Sequence, residues 1–365
     1  MALSGHLAAD IAVPHNIASS AVRCDKVQLS ARRGRSVRRR DFITLVGVSA
    51  AAWPRAARAQ QPSMPVVGLL SPEWPNAVTA DHLRAFREGL NDTGYVEGRN
   101  VIIEYRWAEG RYDRLPALAA ELVRLPVNVI VCFGSTLAAI AAKAASATVP
   151  IVFYGGTDPV SMGLVASLSR PGGNVTGVTT LNIELMAKRL ELLHELVPAA
   201  TIIAALVNPT NSVVVETETK DLQAAARTLG LTLHVLHASS EQEIDTAFMT
   251  LVQLRAGALV IGNDAYFNSR SEQLAVLTLR YAMPAIYNFR EFVLSGGLAS
   301  FGATVADTYR PLGVYTGRIL RGEKPGDLPV QQATKLQLII NMKTAKALGI
   351  TVPLPLSGRA DELIE

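Results

Sequence analysis

From residue 64 onward, short apolar runs alternate with longer stretches in which apolar positions recur every three or four residues. A short run of β-branched and other apolar residues reads as a buried strand, and the 3.6-residue recurrence as an amphipathic helix. The spacing predicts strands over 65–70, 101–107, 127–133, 151–154 and 175–180, separated by helices over 79–94, 112–125, 135–146 and 160–168. The same grammar then restarts. Helices over 181–196, 213–229, 241–255, 268–281 and 290–294 accompany strands over 201–207, 231–237, 258–261, 285–287 and 298–302. A helix over 305–321, a strand over 336–341 and a helix over 343–348 follow. Parallel neighbours need a crossover helix, so two successive βα series predict an α/β protein of two doubly wound parallel-sheet lobes.

The last stretch bears on connectivity. Crossings near Thr179, Ser300 and Thr334 divide the chain into a first lobe of 60–179 plus 300–334 and a second of 180–299 plus 335–365. Three linked crossings form a hinge able to close a cleft.

Composition adds limits. With 365 residues, 49% hydrophobic and 18% charged, the chain has enough material for two cores. The formal net charge of +4 is unevenly placed: residues 1–59 hold 10 Lys and Arg against 3 Asp and Glu, leaving 25 basic and 28 acidic residues beyond them. The folded part is therefore slightly acidic, and no nucleic-acid footprint is expected. The basic segment reads as a leader. Arg38-Arg39-Arg40-Asp41-Phe42-Ile43 precedes an apolar stretch over 43–53 and then Ala57-Arg58-Ala59, which predicts a twin-arginine type signal over 1–59, cleaved before Gln60, and a periplasmic protein. Translation is expected to start at Val37, read as Met. No run approaches the length of a membrane span. Once the leader with Cys24 is removed, Cys132 remains alone in an apolar run, as a small buried hydrophobe.

Ligands of open parallel sheets lie beyond the carboxyl ends of the strands, where helix N-termini favour anions. Those positions hold Ser71, Glu73 and Trp74 after the first strand, Gly134, Ser135 and Thr136 after the third, and Tyr154, Thr157 and Asp158 after the fourth. In the second series they hold Asn208 and Asn211, then Asp264 and Tyr266, then Asn288. Ser135, Asp158, Asn211 and Asn288 also suit plain helix caps. Caps alone do not call for Tyr154, Tyr266 or the Gly155-Gly156 pair, so the set points to a cleft. Asp158 and Asp264 are expected to receive an ammonium group and the amides of 134–136 a carboxylate, with Trp74 or a tyrosine stacking on the ligand's side chain.

No catalytic or metal-binding pattern emerges. His234 and His237 fall on opposite faces of a strand; His82 and His194 read as surface or boundary residues. Neither a nucleophile elbow, a phosphate-binding loop, a dinucleotide fingerprint nor a C-x-x-C is present, so no cofactor is expected.

Several segments carry a resemblance: Asn-Asp-Thr-Gly-Tyr-Val-Glu-Gly-Arg-Asn (91–100), Glu-Tyr-Arg-Trp-Ala-Glu-Gly (104–110), Tyr-Asp-Arg-Leu-Pro (112–116), Ser-Arg-Pro-Gly-Gly-Asn-Val-Thr-Gly (169–177), Asn-Phe-Arg-Glu-Phe-Val (288–293) and Thr-Ala-Lys-Ala-Leu-Gly-Ile-Thr-Val-Pro (344–353). In these the chain resembles the tryptophan-type ABC transporter substrate-binding proteins. The resemblance implies the type I periplasmic-binding fold, a small-molecule ligand between the lobes, and a membrane permease and ATPase as partners; the receptor itself is expected to be a monomer. It carries ligand positions onto Gly134, Ser135, Thr136, Thr157, Asp158, Asn208, Asn211, Asp264 and Asn288. The 36-residue extension and Phe133 depart from the family pattern. An enzyme or a periplasmic sensor using the same cleft is the competing expectation. A cytoplasmic regulator would carry a DNA-binding helix pair where this chain has its leader.

Overall fold

The computed structural model describes residues 64–180 and 185–365; the leader expected over 1–59 and the start of the helix expected from 181 lie outside them. Five parallel strands open the fold: β1 (Val66–Ser71), β2 (Ile102–Trp107), β3 (Val129–Cys132), β4 (Ile151–Gly155) and β5 (Val175–Thr179). Between them run α1 (Ala77–Asp92), α2 (Leu115–Arg124, entered through a 3-10 turn at Tyr112–Arg114) and α3 (Thr136–Ala145). The second series repeats the plan with β6 (Ile202–Val207), β7 (Thr232–His237), β8 (Ala258–Ile261), β9 (Ala285–Tyr287) and β10 (Ala299–Ala303). Its helices are α4 (Met186–Leu196), α5 (Ser212–Leu229), α6 (Glu241–Leu254), α7 (Ala265–Asn268), α8 (Ser271–Arg280) and α9 (Arg290–Leu294). The strand orders are β2-β1-β3-β4-β5 and β7-β6-β8-β9-β10. Both lobes are doubly wound α/β sheets of one topology.

The remaining elements stitch the lobes together. After β10 the chain forms α10 (Val305–Leu320), which packs against α1 and the first sheet, and β11 (Gln331–Gln332), which pairs with β5. It then returns as β12 (Leu336–Asn341), α11 (Met342–Ala347), α12 (Leu354–Ser357) and β13 (Glu362–Ile364) in the second lobe. Ser300 pairs with Tyr287 and Ile339 inside the second sheet, so the crossing expected at 300 falls after Ala303. Nor is the second sheet wholly parallel: β12 runs antiparallel to β10. The reason is topological. β10 ends at the junction, and a chain that visits the other lobe and comes back there must run away from it.

Two predicted helices change form. Residues 160–168 make consecutive turns, because Gly163 enters the left-handed region at φ 64° and stops the winding within one turn. The helix expected over 268–281 starts at Ser271 as α8, with the separate short α7 before it.

Packing explains why the runs are so apolar. All four residues of β3 are fully buried. On one face Ile130 and Cys132 meet Leu122, Ala138, Ala139 and Ala142 from α2 and α3. On the other Val129 and Val131 meet Phe86, Leu312 and Tyr309 from α1 and α10. α1 and α10 approach closely through glycines: a Cβ on Gly313 would stand 2.0 Å from the Phe86 carbonyl oxygen.

Candidate ligand-binding seam

In a sheet ordered 2-1-3-4-5, the direction in which successive strands are added reverses between the first and third strands, and the loops leaving those strands diverge to form a crevice. Here the switch points lie between β1 and β3 in one lobe and between β6 and β8 in the other. Ser71, Glu73 and Trp74 leave β1, and Gly134, Ser135 and Thr136 leave β3. Asn208 and Asn211 leave β6, and Asp264 and Tyr266 leave β8.

The two crevices face each other, closed by direct bonds. The Tyr112 hydroxyl donates to Asp264 Oδ2 at 2.8 Å. Asn76 Nδ2 donates to the Ser269 carbonyl at 3.0 Å. Trp74 packs on Tyr266 with ring centroids 5.6 Å apart, and the Arg270 guanidinium stacks over both rings at 4.4 and 4.6 Å while pairing with Glu241. His82 reaches Phe289 across the seam at 6.0 Å.

On the second-lobe wall, Asp264 is the hub. Asn208 Nδ2 and the Tyr266 amide donate to one oxygen, and Asn211 Nδ2 joins Tyr112 at the other, all at 2.8 Å. Burial pushes the Asp264 carboxyl up, and these donors pull it back. The Tyr112 hydroxyl is held well above its usual range by burial and by the Asp264 charge. Behind the hub, the Glu218 carboxylate accepts from the Asn263 amide at 2.9 Å. Asn211 Oδ1, Asn288 Oδ1 and the Tyr266 hydroxyl are buried and have no protein partner.

On the first-lobe wall, Gly134 takes φ 69°, and any Cβ there would press into Glu73, 2.9 Å from its Cδ. Ser135 caps α3 by accepting from the Leu137 amide. The Thr136 and Thr157 hydroxyls bond at 2.8 Å, and Thr179 Oγ1 donates to the Thr157 carbonyl. Tyr154 packs on Tyr309, whose ring also stacks on His82 at 4.2 Å. Glu73 Oε1, His82 Nε2 and the Tyr309 hydroxyl are buried with no hydrogen-bond partner in the protein.

Asp158 accepts from the amides of Val160 and Ser161, so its carboxylate caps its own turn. One expectation is corrected here. His82, read as a boundary residue, is fully buried between Glu73 and Tyr309, because α10 returns to cover α1. Tyr112 and Tyr309 were missed because both lie away from strand ends, where no local signal marks them. Cys132 is the buried hydrophobe expected, its thiol pushed up by burial. Among the described residues no cluster of side chains suits a metal ion.

Comparison with known proteins agrees with this geometry. Residues 78–364 match the family described as ABC transporter substrate binding protein. A tyrosine-binding protein of Clostridioides difficile is 31% identical over 272 residues, covering 73% of this chain and 76% of that protein. An ABC domain from Streptococcus pneumoniae in complex with L-Trp superposes with a TM-score of 0.70 at 27% identity, covering 83% of this chain and 100% of the other. The ligand-free, open structure of a substrate-binding protein with adhesive properties from Clostridium difficile gives 0.55 at 25% identity, covering 82% and 99%. With two switch-point crevices facing across a closed seam and a family match spanning nearly all the described residues, the chain belongs to the ABC transporter substrate-binding proteins, and its work is to capture a small molecule for a membrane transporter.

Proposed function

We propose that this receptor closes on an amino acid with an aromatic side chain, outside the cytoplasm, and presents it to an ABC permease. The observation that carries the reading is the seam itself. Its opposed walls hold buried polar atoms with no protein partner, Glu73 Oε1 and His82 Nε2 on one side and Asn211 Oδ1 and Asn288 Oδ1 on the other. Buried polar groups are almost always satisfied, so a polar guest belongs between them. Trp74, Tyr154, Tyr266, Phe289 and Tyr309 supply ring faces around it. The likeness to tyrosine- and tryptophan-binding relatives supports the same class of ligand, and the greater likeness to the ligand-bound than to the open relative supports a closed conformation.

In this reading the ligand carboxylate meets the first turn of α3, where Gly134, Ser135 and Thr136 present backbone amides and the helix dipole favours an anion. Thr157 flanks that turn through its bond to Thr136. Asn208, Asn211, Asp264 and Asn288 form the opposite wall. Crossings after Thr179, after Ala303 and after Gln332 act as a three-segment hinge. Export follows the twin-arginine leader with cleavage before Gln60, and the mature receptor works as a monomer.

A thermal-shift series of the purified protein against amino acids and aromatic acids tests the function. Tyrosine or tryptophan is expected to raise the melting temperature; at 100 times its Kd a ligand stabilises by about 2.7 kcal/mol. A flat response to every compound refutes the reading. Sequencing of the exported protein should start at Gln60; recovery of residues 1–30 in it would refute the cleavage.

A further inference from the structure

An α-amino acid carries its ammonium and carboxylate on one carbon, so the groups that receive them must be neighbours. The carboxylates expected to take the ammonium are committed elsewhere. Asp158 caps its own turn, and both Asp264 oxygens already accept two protein hydrogen bonds each. A third acid lies in the seam. Glu73 follows β1 at the switch point of the first lobe and is fully buried. Its Oε2 takes the Ser71 hydroxyl at 3.4 Å and meets His82 Nδ1 at 3.5 Å, whereas Oε1 has no hydrogen-bond donor in the protein.

Around that oxygen the chemistry is consistent. Among the described residues the one basic side chain within ion-pair distance is His82, whose Nδ1 lies 3.4 Å from Oε1 outside hydrogen-bonding geometry. The His82 ring is pinned flat on Tyr309, with the planes 11° apart. A fully buried carboxylate with an open lone pair is costly until a cation or strong donor meets it. Glu73 also lies over Gly134: a Cβ on that glycine would be 3.1 Å from Oε1. Only a residue without a side chain leaves Glu73 this place, at the start of the α3 turn assigned to the carboxylate.

We propose that Glu73 is the residue that selects an amino group: the ligand ammonium donates to Oε1 while its carboxylate sits at the adjacent turn of α3. The inference rests on the amino-acid reading given above. It makes the first lobe the reader of the amino-acid head group, and Asp264 a clamp that orders Asn208, Asn211 and Tyr112.

Titration calorimetry of the full chain with L-tyrosine, L-tryptophan and their des-amino analogues, 3-(4-hydroxyphenyl)propionate and indole-3-propionate, tests it. The wild type should prefer each amino acid over its analogue by about 100-fold or more, as expected when a buried charge loses its partner. Glu73→Gln should cost a similar factor for the amino acids and leave the analogues within about threefold. Equal losses for amino acid and analogue, or unchanged tyrosine binding in Glu73→Gln, would overturn the assignment alone. Should Glu73→Gln fail to fold, equal wild-type affinities for amino acid and analogue overturn it just as well. Binding of none of the four probes by the wild type overturns the amino-acid reading and this inference with it.

Discussion

Glu218 shows how one buried side chain can set a pH response. It lies in α5, almost wholly inside the second lobe, where it accepts from the Asn263 amide and so braces the loop that carries Asp264. Burial raises its pKa from 4.5 to about 8, against the pull of that amide and of Arg189. A carboxyl whose folded pKa is raised binds its proton more tightly in the native state, so stability is greatest while it is protonated. Folding stability should therefore decline as pH rises from about 4.5 toward about 8. Urea midpoints measured across that range should show the decline in wild type and a shallower one in Glu218→Gln; parallel slopes would refute the assignment. The role of Glu218 had no sequence signature, since an acid in an amphipathic helix reads as a solvated one until its neighbours are known.

Among elements, the contact of α1 with α10 decides the shape of the first-lobe wall. It brings Tyr309 over His82 and thereby buries the cluster around Glu73. The contact depends on Gly89 and Gly313, whose missing side chains let backbone meet backbone. In an exposed helix Gly→Ala gains about 1 kcal/mol of propensity. At Gly313 the new methyl would overlap the Phe86 carbonyl oxygen, which cannot rotate away. Overpacking of this kind costs about 1–3 kcal/mol, so the overlap should outweigh the propensity. Gly313→Ala is expected to lower the urea midpoint and to weaken ligand binding together; a variant more stable than wild type would show that the helices separate without cost. Both helices were legible from their periodicity. Their pairing was not, because more than 200 residues separate them and nothing local encodes it.

For the whole molecule, the equilibrium that matters is open against closed. The closed form is held by few bonds: Tyr112 to Asp264, Asn76 to Ser269, and the stack of Trp74, Arg270 and Tyr266. Removing a donor to a charged acceptor from such a set costs about 1.5–3 kcal/mol. Tyr112→Phe should therefore weaken ligand affinity by roughly 13- to 160-fold, through population of the open form. Small-angle scattering should show a larger radius of gyration for the ligand-free variant than for ligand-free wild type, and both should contract to one value when saturated. Affinity loss with no change in scattering would mean that Tyr112 acts on the ligand directly. A modest closing energy suits a transport receptor, since a ligand shifts the balance only by its differential affinity for the two forms.

The chain by itself determined the alternation of strands and helices, the two lobes and the polar residues at strand ends, because periodicity and end chemistry are local properties. Ser71, Gly134, Thr136, Asn208, Asn211 and Asp264 all stand at or just beyond the carboxyl ends of their strands. Tertiary structure alone decided the strand order, the antiparallel return of β12 and which carboxylate keeps an open oxygen. Sequence marks Asp158, Asp264 and Glu73 alike as acids after strands. Folding brings donors to both oxygens of the first two and leaves Oε1 of the third without one, which tells them apart, since hydrogen-bond satisfaction depends on neighbours far away along the chain.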